Sequence, residues 1–234
     1  MNSVPAVELK GASKVYGQYE SKIKAIDKAT CRIFPSEFVA VVGPSGSGKS
    51  TLLNLMGLLD KPTEGKVLID GFDTSAITGK EIASFRGKKM GFVFQSYNII
   101  PRLTAMQNVI LPGIIQDTPK NKLTKKALEL LKEVGIEHRA NHKGVHMSGG
   151  EQQKVAIARA LINNPSVVFA DEPTGALDTK NSDYIMQLLK RMNEVHKVTI
   201  VFVTHDPNQA KYARRIIELE DGRIVNDKAN KEVS

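Results

Sequence analysis

Apolar positions along the chain fall into two periods. Three short continuous runs, Phe38 to Val42, Val167 to Ala170 and Thr199 to Val203, have the pattern of strands buried on both faces. The stretch Ile23 to Phe34 alternates apolar and polar residues, as a half-buried strand does. Shorter strands are predicted at Val7 to Lys10, Lys66 to Asp70 and Met90 to Phe94, the two strands around the later runs being Ser166 to Ala170 and Val198 to Val203. Helical spacing governs Lys49 to Leu59, Lys122 to Val134, Glu151 to Ile162 and Ser182 to Glu194. Arg215 to Val225 reads as a hairpin turned on Asp221-Gly222, and the polar segment from Asn226 to Ser234 as a frayed end. No repeat of solenoid length is present.

Strands that alternate with helices give βαβ units and a parallel sheet. The long stretch between Gln95 and Asn164 lacks strands and reads as a helical lobe inserted in the sheet. Composition changes this picture little. With 41% hydrophobic and 25% charged residues in 234, the chain has the make-up of an ordinary globular domain. Its longest apolar runs fall far short of the roughly 20 residues that a spanning helix needs. The start, Met1-Asn2-Ser3-Val4-Pro5, has no basic segment followed by an apolar one, so no secretory signal is expected. The cysteine Cys31 is alone in the chain and is expected to serve packing. The net charge of +8 is spread over scattered lysines and pairs such as Lys88-Lys89 and Lys125-Lys126, without interleaved aromatic residues or any tryptophan. A nucleic-acid partner is therefore not expected.

Chemistry concentrates where strands end. The run Phe38 to Val42 stops at Gly43-Pro44-Ser45-Gly46-Ser47-Gly48-Lys49-Ser50, which matches the phosphate-loop pattern in its strand-to-helix setting, with Thr51 following. Glycines let backbone N–H groups approach phosphate oxygens, and the helix start adds its positive dipole end. Lys49 is the candidate for the β- and γ-phosphates and Ser50 for Mg²⁺. The second strand end, Ala170-Asp171-Glu172, carries two carboxylates. Asp171 suits the metal, and Glu172 suits polarisation of an attacking water as general base. Read by themselves, the two acids could also cap a helix. Together these motifs give a nucleoside triphosphatase without saying which kind.

Met147-Ser148-Gly149-Gly150-Glu151-Gln152-Gln153-Lys154 decides. It is a second anion nest at a helix start, and it resembles the LSGGQ signature of the ABC ATPase family. Two phosphate-binding helix starts about a hundred residues apart suggest a nucleotide shared between two chains. The resemblance covers essentially the whole chain. It implies an α/β P-loop NTPase (RecA-like) fold: a mostly parallel core sheet, an antiparallel β subdomain and an inserted α-helical subdomain. Residues 1–95 and 165–234 would form the catalytic core and residues 96–164 the mainly helical signature subdomain, all within one ATPase domain.

The resemblance further implies ATP and Mg²⁺ as ligands. Tyr16 would stack on adenine, although a core or edge-strand tyrosine is as good a reading of that residue alone. Gln95 would touch Mg²⁺ and water, Asp178 would belong to the loop that meets the partner protomer, and His205 would hydrogen-bond the γ-phosphate. Ser148, Gly149, Gly150 and Glu151 would close over nucleotide held by that second protomer, expected to be another copy of the chain. Gln18 to Lys24, Gly57 to Gly65, Gly91 to Gln95 and Ala170 to Asp178 look most like the MacB/LolD-type group. That implies a polytopic membrane permease as partner, contacted around Gln95 to Leu103, and a peripheral place on the cytoplasmic face of the membrane. A soluble ABC ATPase acting on DNA or ribosomes is the alternative. A nucleotide-gated regulatory subunit is a third reading, against which Glu172 and His205 both argue. Three departures stand out: Met147 for leucine, Glu151 for glutamine, and Lys154 for an arginine whose planar fork is lost.

Overall fold

The computed structural model describes residues 3–17 and 21–230. It contains ten strands and seven α-helices among those residues, in the order β1 (Val7–Tyr16), β2 (Ile23–Ile33), β3 (Phe38–Val42), α1 (Lys49–Met56), β4 (Glu64–Ile69), β5 (Phe72–Asp73), α2 (Gly79–Lys89), β6 (Met90–Phe94), α3 (Ala105–Ile115), α4 (Lys120–Glu133), α5 (Gly149–Leu161), β7 (Val167–Asp171), α6 (Thr179–His196), β8 (Thr199–Thr204), α7 (Pro207–Ala210), β9 (Arg215–Glu220) and β10 (Arg223–Ala229). One sheet has the order β10-β9-β3-β8-β7-β6, with all pairs parallel except the terminal β10–β9 hairpin. The other, β2-β1-β4-β5, is antiparallel.

The continuous apolar runs are explained by two cores, one on each face of the larger sheet. On β3, Phe38 and Ala40 join the core that holds helices α3 to α6, while Val39 and Val41 join the core shared with α1 and the antiparallel sheet. Strands β7 and β8 divide the same way: Phe202 meets Phe38 on one side, and Phe169 meets Phe92 on the other. Burying one such side chain contributes about 1.5–3 kcal/mol, so slipping a strand by one residue would forfeit several of these at once.

Three helices lie outside the four that periodicity predicts, the shortest being the single turn of α7. Helix α2 fully buries no residue and half-buries just Ile82 and Phe85 against the second core, too few to read as an apolar stripe. Helix α3 contains Pro112 and Gly113, which read as a break; its start was legible, because Thr104 and Gln107 form a reciprocal capping box. The expected frayed end is corrected in part. Asn226 to Ala229 pair with β9 beyond a register shift at Val225, and the pairing is held by Arg215 on both Asp227 oxygens and by Lys228 on Glu218. The turn itself is as expected, with Asp221 and Gly222 both left-handed. Residues 231–234 lie outside the described residues, as do Met1 and Asn2 and residues 18–20 of the Gln18 to Lys24 segment.

Cys31 sits in the second core at 6% exposure, and burial pushes its thiol up to about 12. An ordinary thiol gains thiolate steeply as pH rises through about 8.5. Cys31 should instead react negligibly with a thiol reagent at both pH 8 and pH 9, and only at the rate of unfolding once denaturant is added. Rapid labelling of the native chain that rises with pH across that interval would overturn the placement.

Candidate functional site

Four neighbouring strands, β3, β8, β7 and β6, end within one residue of a common level. Val42 is opposite Thr204, Val203 opposite Asp171, and Asp171 opposite Phe94. The residues that follow, Gly43, His205, Glu172 and Gln95, therefore emerge side by side at the carboxyl edge of the sheet. A cavity of about 730 Å³ opens there, lined by Ser45, Gly46, Gly48, Lys49, Ser50, Thr51, Glu172 and His205 among others.

The loop leading into α1 is built for an anion. Gly48 is the N-cap at φ 99°, with no side-chain cap and no acid in the first helical turn. A Cβ at Gly48 would lie 2.4 Å from the Ala25 carbonyl oxygen, so neither the backbone angle nor the space admits a side chain. The first-turn N–H groups of α1 are thus left for a ligand. Lys49 is 7% exposed and donates to the carbonyls of Gly43 (2.8 Å) and Pro44 (2.7 Å), leaving one of its three hydrogens for a phosphate oxygen. The buried Ser47 hydroxyl has no hydrogen-bond partner among the described residues, a polar atom that a phosphate would satisfy.

Next to this loop, the Ser50 hydroxyl donates to Asp171 Oδ1 at 3.1 Å. Burial pushes the Asp171 carboxyl up, the Ser50 bond opposes this, and neighbouring Glu172 adds to the rise. A hydroxyl and a desolvated carboxylate in contact form an oxygen donor pair of the kind Mg²⁺ takes. Glu172 holds a left-handed backbone at φ 42°, and its Oε1 accepts from His205 Nδ1 at 3.0 Å. Since a carboxylate only accepts, Nδ1 carries the hydrogen.

Other expected residues stand apart from the cavity. Gln95 packs over Gly175: its Nε2 lies 2.6 Å from where a Cβ at Gly175 would be, so this close approach needs glycine. Tyr16 is not part of the cavity wall; its hydroxyl donates to Asp60 at 2.8 Å and Lys14 lies 5.0 Å from its ring centre. Asp178 caps α6 through the Asn181 N–H at 2.9 Å, and that bond holds its carboxyl below the usual range. Ser148, Gly149, Gly150 and Glu151 lie at the start of α5, outside the cavity. There Ser148 and Glu151 form a capping box, and Arg139 donates to Glu151 Oε1 at 2.8 Å. Burial raises the Glu151 carboxyl, but the Ser148 N–H and Arg139 outweigh it and hold the group low. Lys154, without an arginine fork, puts its ammonium 4.2 Å from the Tyr184 ring centre and so still anchors α5 to α6.

Ile23, Lys24, Ala25, Asp221 and Gly222 also line the cavity, the first three being outside every phosphate or carboxylate motif. Asp221-Gly222 was visible only as a turn, yet the Gly222 N–H donates to the Ser47 carbonyl and fastens the hairpin to the phosphate loop.

Against known proteins, the family model described as ABC transporter matches residues 26–175. An ABC transporter ATP-binding protein of Methanocaldococcus jannaschii, MJ0796, is 50% identical over 225 residues, covering 94% of this chain and 96% of that protein. The solved dimer of the ATP-binding cassette MJ0796, in a post-hydrolysis state bound to ADP and Pi, superposes with a TM-score of 0.87 at 48% identity, covering 96% of this chain and 99% of that one. The macrolide export ATP-binding/permease protein MacB of Hyphomonas neptunium is 41% identical over 98% of this chain, which spans only 36% of MacB. These relatives are transporter proteins rather than ATPases acting on DNA or ribosomes. The strand-end site, the second anion nest and these likenesses agree, and the chain belongs to the ABC transporter family as one of its ATPase cassettes.

Proposed function

We propose that this chain binds Mg²⁺·ATP at the strand-end cavity and hydrolyses it within a head-to-tail dimer of two copies, driving a membrane permease. The observation that carries the reading is the separation of the two anion nests: the α1 loop lines the cavity, whereas the α5 start does not. One chain thus holds two half-sites, and antiparallel pairing of two chains would make each whole.

In this reading the α1 N–H groups and Lys49 hold the phosphates. Ser50 and Asp171 would hold Mg²⁺, which when bound would neutralise phosphate charge, and Gln95 would contact the metal and the attacking water. Glu172 takes a proton from the attacking water. With Nδ1–H committed to Glu172, His205 donates through Nε2 only as the imidazolium or after that contact opens. Arrival of a γ-phosphate would therefore reset the Glu172–His205 pair as well as contact it. Ser148 and the N–H groups of Gly149 and Gly150 would approach from the partner, with Asp178 in the adjoining contact and Tyr16 at the adenine end.

The permease is proposed to dock in a groove of about 440 Å³ lined by Arg86, Phe92, Phe94, Pro112, Ile115 and Ile162, next to Gln95. Ile115 is 69% exposed there and Ile114 46%, an apolar ridge at the end of α3 that the described residues leave largely uncovered. No helix among the described residues is long and apolar enough to cross a membrane; in this reading the cassette works on the cytoplasmic face and the permease spans the bilayer.

Glu172→Gln should lower kcat by roughly a hundred-fold or more while leaving ATP binding intact, and ATP should convert the variant from monomer to dimer in light scattering. Monomer alone at saturating ATP would sink the shared site. Asp171→Asn should raise the Mg²⁺ concentration needed for half-maximal turnover by at least about ten-fold, read by titrating the metal at fixed ATP; an unchanged midpoint would remove Asp171 from the metal. Ile115→Asp should abolish co-purification of a polytopic membrane protein with the tagged chain from gently solubilised membranes, and undiminished recovery would place the docking surface elsewhere.

A further inference from the structure

Gln153 is 0% exposed, on the face of α5 turned into the molecule. Its side-chain Nε2 donates in two directions, to the Phe94 carbonyl at 3.5 Å and, in a shorter contact, to the Pro173 carbonyl. Those acceptors are not arbitrary. Phe94 precedes Gln95 in the chain and Pro173 follows Glu172, so one amide is one peptide away from both side chains expected to handle the attacking water.

Two further facts show that this region needs holding. Glu172 keeps a left-handed φ of 42°, which a non-glycine residue retains only when its surroundings impose it. Pro173 has no N–H and offers only its carbonyl, so Gln153 adds a grip to those the turn already has, the Glu172 N–H on the Val203 carbonyl and the Gly175 N–H on the Glu172 carbonyl. Gln95 meanwhile lies against Gly175, two residues beyond Pro173, so the two loops already touch. Packing alone does not call for a glutamine here. Its Oε1 is buried with no hydrogen-bond partner among the described residues, a cost that an apolar side chain of the same volume would avoid.

Resting on the ATPase reading above, we propose that Gln153 is a positioning residue for hydrolysis. Its amide holds the Gln95 and Glu172 loops in register, and because it sits one turn into α5, it ties that register to the orientation of the Ser148–Gly150 nest. A movement of α5 when the nest meets its partner's nucleotide is transmitted through Nε2 to Phe94 and Pro173. The far end of the helix repeats the arrangement: Arg159 donates to the Tyr97 carbonyl at 2.8 Å and to that of Asn98, both residues being left-handed. The loop after β6 is thus gripped by α5 at two points.

Gln153→Met keeps the volume and removes the donor, and Gln153→Leu is made beside it. In steady-state ATPase assays of the full chain, kcat should fall roughly ten- to a hundred-fold, as for a small displacement of reacting groups. KM for ATP should stay within about three-fold, since the phosphate loop is untouched. Adding Gln95→Ala to Gln153→Met should cost less than about two-fold more, because the two lesions act on one element. The proposal is overturned if kcat stays within about two-fold of wild type, if KM rises in step with the loss, or if the two losses multiply. It is overturned equally if neither variant folds at the assay temperature, since the amide's role is then structural. Absence of Mg²⁺-dependent turnover in the wild-type chain would instead sink the function on which the inference rests.

Discussion

Everything chemical in this chain depends on the in-register parallel pairing of β3, β8, β7 and β6. Because Val42, Thr204, Asp171 and Phe94 close their strands within one residue of a common level, four loops that are distant in sequence start within neighbouring strand spacings, about 4.8 Å apart. The register is fixed by burial on both faces rather than by the loops. Phe38, Phe169 and Phe202 are each fully buried, and moving any strand by one residue would swap its inward and outward sets between two cores of different shape. The site is a consequence of hydrophobic packing that never touches a nucleotide.

Loops at such an edge still have to be shaped, and buried amides perform that work. Asn108 donates from α3 to the carbonyls of Ile100, Leu103 and Thr104, folding the segment before the helix. Asn193 donates from α6 to Ser36, Glu37 and Val198, joining the entrances of β3 and β8. Gln153 does the same at the exits of β6 and β7. Each reaches out of an apolar core to backbone carbonyls where elements begin or end, adding to the backbone bonds that Thr104 already accepts from Asn108 and Glu37 from Ile200, and truncating one would leave buried polar groups with fewer partners.

This division explains what could be read in advance. Groups that must approach a phosphate or a water are contiguous at strand ends or helix starts, so Gly43 to Ser50, Asp171-Glu172 and Ser148 to Gly150 were visible as motifs. Strands and helices with a buried face were visible as periods. Helix α2, whose inward contacts are the half-buried Ile82 and Phe85, helix α3, which runs on through Pro112, and the single turn of α7 were not. The last strand was legible only as far as Val225, because from Asn226 to Ala229 its pairing rests on Arg215 and Lys228, contacts that a polar tail does not announce. Tyr16 was legible as an aromatic in the right order but not as a residue committed to Asp60. Least legible were the long-range grips, since nothing local marks Gln153 as the partner of Phe94 and Pro173.

The start of α5 shows how a departure from the usual signature is absorbed. A glutamate at position 151 puts a negative charge in the first turn of the helix proposed to meet phosphate, where repulsion would oppose closure. Two bonds deal with it. The Ser148 N–H takes one carboxylate oxygen and the Arg139 guanidinium takes the other, so the charge is paired locally. The capping box uses only acceptor capacity of the Ser148 hydroxyl, which receives the Glu151 N–H and keeps its own hydrogen. What the helix start presents outward is therefore a hydroxyl hydrogen, the free first-turn N–H groups of Gly149 and Gly150, and a neutralised acid. That set donates without accepting, which is what an incoming phosphate requires, and the surface that a second chain would meet is already prepared before it arrives.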